Sequence, residues 1–277
     1  MTPARSMENV EDLPPPHIAS RWTPARILGL LLLGLWTLVG LGIVVFLVAS
    51  WNPELFWRYA PNYISGLWVT IQLVLISTIA GAVLSVPIAV GRSSSSYLAS
   101  ALSYAYVYFF RGTPLLAQTF LVYYGLGSFR PQLEAIGLWV FFREAWYCAL
   151  LAFALNTAAY QAEILRGAVQ NVGRGQWEAA AALGLPRLLT LRKIILPQAM
   201  LVALRPYGNE IILLIKGSAI VAIITVYDLM GETRRAYSRT FDFQTYIWAA
   251  LIYLSMVELL RIATERIERR LTRHLRR

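Results

Sequence analysis

Four polar residues fall close together in an apolar stretch near the middle of the chain. Asn156, Tyr160 and Glu163 are spaced by four and three positions, so a helix would place them on one face. Thr157 lies beside them. These amide, phenol, hydroxyl and carboxylate groups can bind a polar solute, or they can hydrogen-bond to another helix. Glu163 can also pair with Arg166 three positions on, and the sequence leaves both interpretations open.

A second polar group interrupts a later apolar stretch. Pro206 removes a backbone hydrogen bond and clashes with the preceding turn, which predicts a break or kink in the helix. Broken helices within a membrane line a cavity or lie buried in protein, so polar residues near the break are candidates for a solute pathway. We assign Asn209, Glu210 and Lys216 to that pathway. We also expect Arg205 and Glu210 to neutralise each other across the break.

The stretch RGTPL at 111–115 also contains a charge and a proline. Pro114 either kinks a continuous helix or occupies the first position of a new helix that Thr113 caps. The second alternative would place Arg111 near the membrane interface, and the sequence does not choose. Arg111, Pro114 and Pro206 are therefore grouped as residues of a helix break or kink.

Enzymatic chemistry finds no support among these residues. His17 and His274 lie in the tails, so no Ser/His/Asp set or metal-ligand cluster can be assembled in the apolar stretches. The lone Cys148 cannot form an internal disulfide. The sequence contains no G-x-x-x-x-G-K-[ST] motif. We therefore expect a non-enzyme, with no ATPase site, cofactor or metal in this chain.

The elements that must position the polar residues are long apolar helices. Of the 277 residues, 57% are hydrophobic and 14% are charged, and the mean hydropathy is +0.54. A helix needs about 20 apolar residues to cross a hydrocarbon layer of ~30 Å. Stretches of this length lie at about 27–50, 63–91, 97–127, 145–165, 194–226 and 243–260. The predicted fold class is an all-α polytopic membrane protein with about six transmembrane helices.

The net charge is +10, and the distribution of the basic residues along the chain indicates a membrane topology and not a nucleic-acid site. Lys and Arg concentrate on alternate loops and on the C-terminal tail, which places both termini in the cytoplasm. The tail RIATERIERRLTRHLRR is interpreted as a solvated helix end beside anionic lipid. The first apolar stretch is longer than the core of a signal peptide, so we interpret it as a retained anchor.

The largest predicted cytoplasmic loop, residues 169–193, contains two short helices outside the membrane. We expect Glu178 in the first turn of one helix, Gly184 as its left-handed cap, and Pro186 in the first turn of the next. The apolar residues of the loop fall near helical spacing: Trp177, Ala180, Ala181, Leu185, Leu188 and Leu189. This stripe either rests on lipid or fills a groove on another protein.

Spacing within the loop favours the second alternative. Glu178, Ala179 and Ala180, then Gly184, then Ile194 to Pro197 fit the pattern E-A-A-x3-G-x9-I-x-L-P at every fixed position. This pattern resembles the cytoplasmic loop signature of permease subunits of bacterial ATP-binding-cassette (ABC) importers. Three further stretches resemble the polar amino-acid branch of this family, which includes histidine, arginine, glutamine and opine permeases. They are RGTPL at 111–115, NTAAYQAEILRGA at 156–168 and PYGNEIILLIKGSA at 206–219.

The resemblance covers about residues 60–265 and implies a domain organisation. The expected parts are a cytoplasmic tail at 1–26, an extra transmembrane helix at 27–50, a five-helix importer domain at 60–265 with its coupling loop at 169–193, and a basic cytoplasmic tail at 266–277. The purpose of the extra helix does not follow from the resemblance.

The resemblance further implies a permease subunit of an ATP-driven importer in the bacterial inner membrane, forming half of a translocation path for polar amino acids. The residues that would couple it to a cytosolic ABC ATPase dimer, which holds ATP and Mg²⁺, are Glu178, Ala179, Ala180, Gly184 and Pro186. The other implied partners are a second permease subunit, identical or related, and an extracytoplasmic solute-binding protein.

Two carboxylates, Glu163 and Glu210, favour a solute with an ammonium or guanidinium group, such as a basic amino acid, histidine or a related conjugate. The alternative function is an ion-coupled secondary transporter or channel, which the intramembrane charges alone would allow. A membrane scaffold is a third class. Neither of these explains the pattern in the loop.

Overall fold

A computed structural model describes residues 22–49 and 51–273, and these residues form helices and loops without a strand. Contacts divide the chain into two units, residues 1–51 and 52–277. Most of the predicted N-terminal tail, the end of the basic tail, and both His17 and His274 lie outside the described residues.

The first unit contains one long helix, α1, at Pro24–Ala49. It covers most of the predicted stretch 27–50 and begins three residues earlier. None of its residues is buried, and its mean hydropathy reaches 2.7. A helix of 26 residues that is apolar on all sides is suited to lipid contact and is long enough to cross the hydrocarbon layer.

The second unit contains the remaining helices. In chain order they are α2 Pro53–Arg92, α3 Tyr97–Gly112, α4 Leu115–Phe120, α5 Arg130–Ala135, α6 Trp139–Phe142, α7 Ala145–Gln170, α8 Arg174–Ala182, α9 Arg187–Thr190, α10 Leu196–Ser218, α11 Leu229–Thr240 and α12 Gln244–Leu271. Single π-helical turns follow α4 and α9, and a 3₁₀ turn follows α10.

Five helical segments of the described residues are long and apolar enough to cross a membrane: Pro24–Ala49, Pro53–Arg92, Ala145–Gln170, Arg187–Ile224 and Gln244–Leu271. The remaining predicted crossing, 97–127, is not a single helix. It is divided between α3 and α4, because the chain is extended at the two residues between them.

The alternative of a continuous, kinked helix is wrong, whereas the predicted break beside Arg111 and Pro114 is confirmed, with the new helix beginning one residue later than expected. Thr113 is the C-cap of α3, and its backbone N–H donates to the Phe109 carbonyl at 3.1 Å. Pro114 is the N-cap residue of α4 and therefore precedes the helix. The Gln118 amide donates to the carbonyls of Phe110 and Thr113 at 2.9 and 3.0 Å, which satisfies acceptors that the break exposes.

The predicted break at Pro206 is also wrong. Helix α10 continues through Pro206 from Leu196 to Ser218, and α2 likewise continues through Pro61 and Pro87. An interior proline removes a single backbone hydrogen bond, and neighbouring helices in a membrane protein stabilise the rest of the helix. The irregular backbone lies instead at the two ends of α10, in the π-helical and 3₁₀ turns.

Helix α7 lies at the centre of the second unit and packs most extensively against α2. Small residues make close packing possible: a Cβ atom at Gly81 of α2 would lie only 2.4 Å from Cγ2 of Thr157. Phe153 of α7 is fully buried in a core that α2 and α10 complete through Leu73 and Leu214. This packing fixes the middle of α7, where the polar residues lie.

Candidate functional site

The middle of α7 forms hydrogen bonds with polar groups of three other helices, α3, α4 and α10. Asn156 is buried, and its side-chain amide donates to the Phe110 carbonyl at 3.0 Å and to Oε1 of Gln118 at 2.9 Å. Thr157 is also buried, and its hydroxyl donates to Oε1 of Glu210 on α10 at 2.9 Å. Polar side chains of α4, α7 and α10 therefore meet beside the break between α3 and α4.

Glu210 is 7% exposed and receives its side-chain hydrogen bond from the Thr157 hydroxyl. Its predicted pairing with Arg205 is wrong, because residues five positions apart point about 140° away from each other on a helix. Arg205 is exposed and pairs instead with Glu268 of α12 at 2.7 Å. Glu210 forms no ion pair, with Arg111 or any other cation, in the described part of the chain.

Glu163 lies in a different environment, nearer the Gln170 end of α7. The predicted pair with Arg166 is confirmed at 2.6 Å, and Arg92 at the end of α2 approaches the other carboxylate oxygen at 3.0 Å. The Arg92 guanidinium also lies 4.9 Å from the ring centroid of Tyr104 on α3. Two cations therefore already bind the Glu163 carboxylate, and one of them, Arg92, connects α2 to both α7 and α3.

A cavity of about 370 Å³ opens between α3, α7 and α10. Arg111 lines it, with its guanidinium carbon 5.1 Å from the ring centroid of Tyr160. Tyr160 lies ten positions before the end of α7, which is about 15 Å along the helix, so Arg111 contacts α7 well before the coupling loop. The other lining residues are Glu163, Ile164, Gly167, Ala168, Asn171, Val202, Ala203 and Pro206.

Asn209 and Lys216 lie apart from this cavity, on the exposed side of α10. Asn209 lines a groove of about 420 Å³ between α10 and α12, together with Arg205 and Thr264. Lys216 forms no ion pair with any residue in the described ranges. The structure therefore separates these two predicted pathway residues from the contact between Thr157 and Glu210.

Three polar residues near the site were not assigned to it from the sequence. Gln118 and Gln161 are buried, and the Gln161 amide donates to the Thr157 hydroxyl and to the Thr78 carbonyl, at 3.1 Å each. The available signal was a glutamine inside an apolar stretch, and for Gln161 also its spacing of four from Thr157. The third residue is Arg92, and its partner Glu163 lies 71 positions away, so the local sequence contains no signal for the contact.

The predicted coupling loop contains two short helices, α8 and α9, as expected. Gly184 has a φ of +67°, its N–H donates to the Ala181 carbonyl, and the Leu185 N–H donates to the Ala180 carbonyl. These bonds form a Schellman motif, so the prediction of a left-handed cap at Gly184 is confirmed.

Two details of the loop prediction are wrong by a few residues. Helix α8 already begins at Arg174, after an N-cap at Gly173, so Glu178 lies in the second turn and not the first. Pro186 is the N-cap residue of α9 and lies one position before its first turn. Glu178, Ala179, Gly184 and Pro186 are exposed, whereas Ala180 is buried.

The coupling loop is packed directly onto α7 and α10. Ala168 and Val172 at the end of α7 form a buried cluster with Ile195 and Ala199, and Trp177 of α8 packs against it. The opposite side of the loop is open, and an external groove of about 720 Å³ is lined by Trp177, Glu178, Ala181, Leu185, Arg187, Leu188, Thr190 and Leu191. The predicted apolar stripe is thus divided between an inner contact and an exposed surface.

A further buried carboxylate, Asp228, is the N-cap residue of α11, in the segment that connects two of the membrane-spanning helices along the chain. It accepts a hydrogen bond from the Gly231 N–H at 2.8 Å and another from the Tyr253 hydroxyl at 3.3 Å. Burial raises the pKa of Asp228 to about 6, because a charged carboxylate loses hydration there.

Comparison with known proteins places this arrangement among transport proteins. Residues 81–273 match the model of the family described as "Binding-protein-dependent transport system inner membrane component". The nopaline transport system permease protein NocM of Agrobacterium fabrum is 45% identical over 195 residues, which cover 70% of this chain and 81% of NocM. The arginine ABC transporter permease protein ArtM of Escherichia coli K12 is 35% identical over 213 residues, covering 77% of this chain and 96% of ArtM.

A solved structure shows the same likeness in three dimensions. A chain from the crystal structure of an amino acid ABC transporter with histidines is 34% identical to this one, with a TM-score of 0.71. The match covers 80% of this chain and 99% of that chain.

Proposed function

Because the chain belongs to the family of binding-protein-dependent transport system inner membrane components, we propose that it imports a polar amino acid or an opine-type conjugate. Within an ABC importer it is the permease subunit, and the ATPase activity belongs to a separate subunit. The solute class is inferred from relatives that are named for nopaline and arginine transport.

The observation that carries this proposal is the direct packing of the coupling loop onto the two helices that hold the polar site. Trp177 contacts the cluster formed by the end of α7 and the start of α10. Further along the same two helices, the Thr157 hydroxyl donates a hydrogen bond to Glu210. Residues of both helices also form part of the cavity wall. A movement of the loop would therefore reposition the polar groups that a solute meets.

The proposed partners follow from this arrangement. A cytosolic ATPase dimer, holding ATP and Mg²⁺, would bind the exposed side of α8 and α9. The contact would include Glu178, Ala179, Gly184 and Pro186, and the buried Ala180 would pack beneath it. A second permease subunit, identical or related, would complete the path, and an external solute-binding protein would deliver the solute. Both termini would lie on the cytoplasmic side of a bacterial inner membrane, as the charge distribution favours.

The proposed solute pathway consists of the cavity and the polar groups near it. Tyr160 and Glu163 line the cavity, and Asn156, Thr157 and Glu210 lie deeper between the helices. The two guanidinium groups on Glu163 reduce its ability to attract a cationic solute, whereas Glu210 forms no ion pair in the described residues and is the better candidate to bind a cationic group. Asn209 and Lys216 lie apart from the cavity, on the exposed side of α10, and would line the path only where the second permease subunit faces that side.

The coupling role is tested with the same substitution at two glycines of the loop. Gly184→Val forces a β-branched residue into a left-handed conformation and should disrupt the corner between α8 and α9. Gly175→Val is the matched control, because Gly175 lies within α8, has no unusual φ and has open space around it. Glu178→Lys tests the charge presented to the partner.

Membrane insertion, co-purification of the ATPase and ATP-driven uptake are measured for all three variants. We expect Gly184→Val and Glu178→Lys to insert normally yet lose most uptake, by about tenfold or more, while Gly175→Val retains it. A helix that merely rests on lipid predicts a mild glycine effect and no loss from the added lysine. Normal co-purification and uptake in both variants would exclude the coupling role.

A further inference from the structure

Arg111 lines a cavity between three helices without a carboxylate partner. In the ranges 22–49 and 51–273 it forms no ion pair, and its close contact is with the face of Tyr160. By contrast, the arginines nearest to Glu163, Arg92 and Arg166, both pair with that carboxylate. A guanidinium that faces a cavity without a carboxylate partner is a candidate to bind an anionic group of a solute.

The surroundings of Arg111 indicate which chemical group it can bind. Its side chain is exposed to the cavity of about 370 Å³, a volume within the range of small-molecule sites. Tyr160 supports one face of the planar guanidinium, which leaves the N–H groups along its edge free to donate in parallel. A guanidinium edge in this arrangement matches the two oxygens of a carboxylate.

The charges around the cavity complement a zwitterion. In the described part of the chain Arg111 forms no ion pair, and the buried carboxylate of Glu210 is held by the Thr157 hydroxyl without an ion pair. The Glu163 carboxylate on the same wall is occupied by Arg92 and Arg166. A solute that carries both a carboxylate and a cationic group can therefore satisfy Arg111 without removing it from an existing ion pair.

We propose that Arg111 binds the α-carboxylate of the transported solute and thereby selects carboxylate-bearing solutes. This inference rests on the proposed import function, and it assigns to Arg111 a specificity role beyond its place next to the helix break. The competing explanation is that Arg111 pairs with an acidic residue of the second permease subunit.

The test uses two probes that differ only at the carboxylate, L-arginine and L-argininamide. Equilibrium binding of each is measured on the purified complex of this chain with its second permease subunit and ATPase, without the binding protein, which would filter solutes first. Histidine and histidinamide form a second pair in case arginine is not bound. Arg111→Gln and Arg111→Lys are compared with Arg205→Gln, which removes an arginine that already has a carboxylate partner.

We expect the wild-type complex to bind arginine at least about tenfold more tightly than argininamide, as a lost charge-assisted pair of hydrogen bonds implies. Arg111→Gln should abolish this preference by weakening arginine alone, Arg111→Lys should retain part of it, and Arg205→Gln should leave it unchanged. Co-purification of all subunits checks assembly.

Several results would overturn the assignment. A wild-type complex that binds both members of a pair equally has no carboxylate site, whatever the variants do. If Arg111→Gln still prefers arginine over argininamide, Arg111 is not the residue that binds the carboxylate. If the wild type binds both probes equally and Arg111→Gln no longer co-purifies with the second permease subunit, Arg111 instead contacts that subunit. If the wild type binds neither pair and the complete importer takes up no amino acid, the proposed function itself fails.

Discussion

Two glutamates of the membrane domain, Glu163 and Glu210, have the same side chain but lie in opposite electrostatic environments. Glu163, near the end of α7, is bound by arginines from α2 and α7 at 3.0 and 2.6 Å. Glu210, within α10, is buried and receives the Thr157 hydroxyl without an ion pair in the described residues. The sequence suggested the same role for both carboxylates, and their surroundings separate them.

This difference distinguishes a carboxylate that stabilises the packing of helices from a carboxylate that is available to a solute. A carboxylate with two guanidinium partners holds helices together, and its charge is largely neutralised. A buried carboxylate with one hydroxyl partner has no cation within ion-pair distance, so a cationic group of a solute can pair with it and offset the cost of its burial. We therefore attribute solute attraction mainly to Glu210 and helix anchoring mainly to Glu163.

The largest expected effect comes from Glu210→Gln. Removing the charge should lower ATP-driven uptake of a cationic amino acid by about tenfold or more, since a hydrogen bond to a charged group contributes about 1.5–3 kcal/mol. The isosteric change Glu163→Gln is the control and should lower uptake only a few-fold. Uptake and co-purification are measured for both variants. Equal losses would remove the distinction between the two carboxylates.

The second prediction concerns the packing that holds Thr157 against Glu210. In Gly81→Ala the new Cβ would lie 2.4 Å from Cγ2 of Thr157, so the helices must separate, at a cost of about 1–3 kcal/mol. Gly167→Ala is the control, because nothing lies within 4 Å of a Cβ at that position on α7. Thermal unfolding of the detergent-solubilised complex should show a lower midpoint for Gly81→Ala alone.

The third prediction measures the anchoring role of Glu163 directly. In a double-mutant cycle of Arg92→Gln and Glu163→Gln, the coupling energy should be about 1–2 kcal/mol, because both side chains are largely buried. The exposed pair of Arg130 and Glu134 serves as comparison and should give about 0.5 kcal/mol or less. A coupling near zero for Arg92 and Glu163 contradicts the anchoring role.

The smallest effect is expected for Asp228, a buried carboxylate outside the membrane-spanning helices. Its folded-state pKa of about 6 exceeds the ordinary value of 3.8, so the folded state binds the proton more tightly. The stabilisation from protonation is complete below pH 3.8 and is lost as the pH rises through about 6. The wild type should therefore be about 1 kcal/mol more stable at pH 5 than at pH 7.

This pH dependence is measured by thermal unfolding of the wild type and Asp228→Asn at both pH values. The asparagine side chain can still accept the Gly231 N–H but does not titrate, so the Asp228 contribution should disappear. An identical pH dependence in the variant would show that another group is responsible.

Contacts within one or two helical turns were predictable from the sequence. The Gly184 cap and the pairing of Glu163 with Arg166 depend on spacings of a few residues, which helical geometry fixes. The apolar stretches likewise predicted the five long helical spans. Errors of a few residues at Glu178 and Pro186 arose because a glycine N-cap started α8 earlier and an extended residue delayed α9.

Contacts between distant segments were not predictable in this way. Arg92 reaches Glu163 across 71 positions, Arg205 reaches Glu268 across 63, and Thr157 reaches Glu210 across 53. These partners depend on how the helices pack, which spacing along one helix does not encode. The continuous helix at Pro206 has the same origin, since neighbouring helices compensate for a local backbone preference.

The central claim is that this chain forms part of a path through which an amino-acid solute is imported at the expense of ATP. The most direct measurement is uptake of labelled arginine, histidine and nopaline into vesicles that contain the chain with its second permease subunit and ATPase. We predict that uptake of at least one of these solutes requires ATP, the ATPase and the external binding protein together. Uptake by the chain alone, driven by a proton or sodium gradient, would contradict the claim and indicate a secondary transporter.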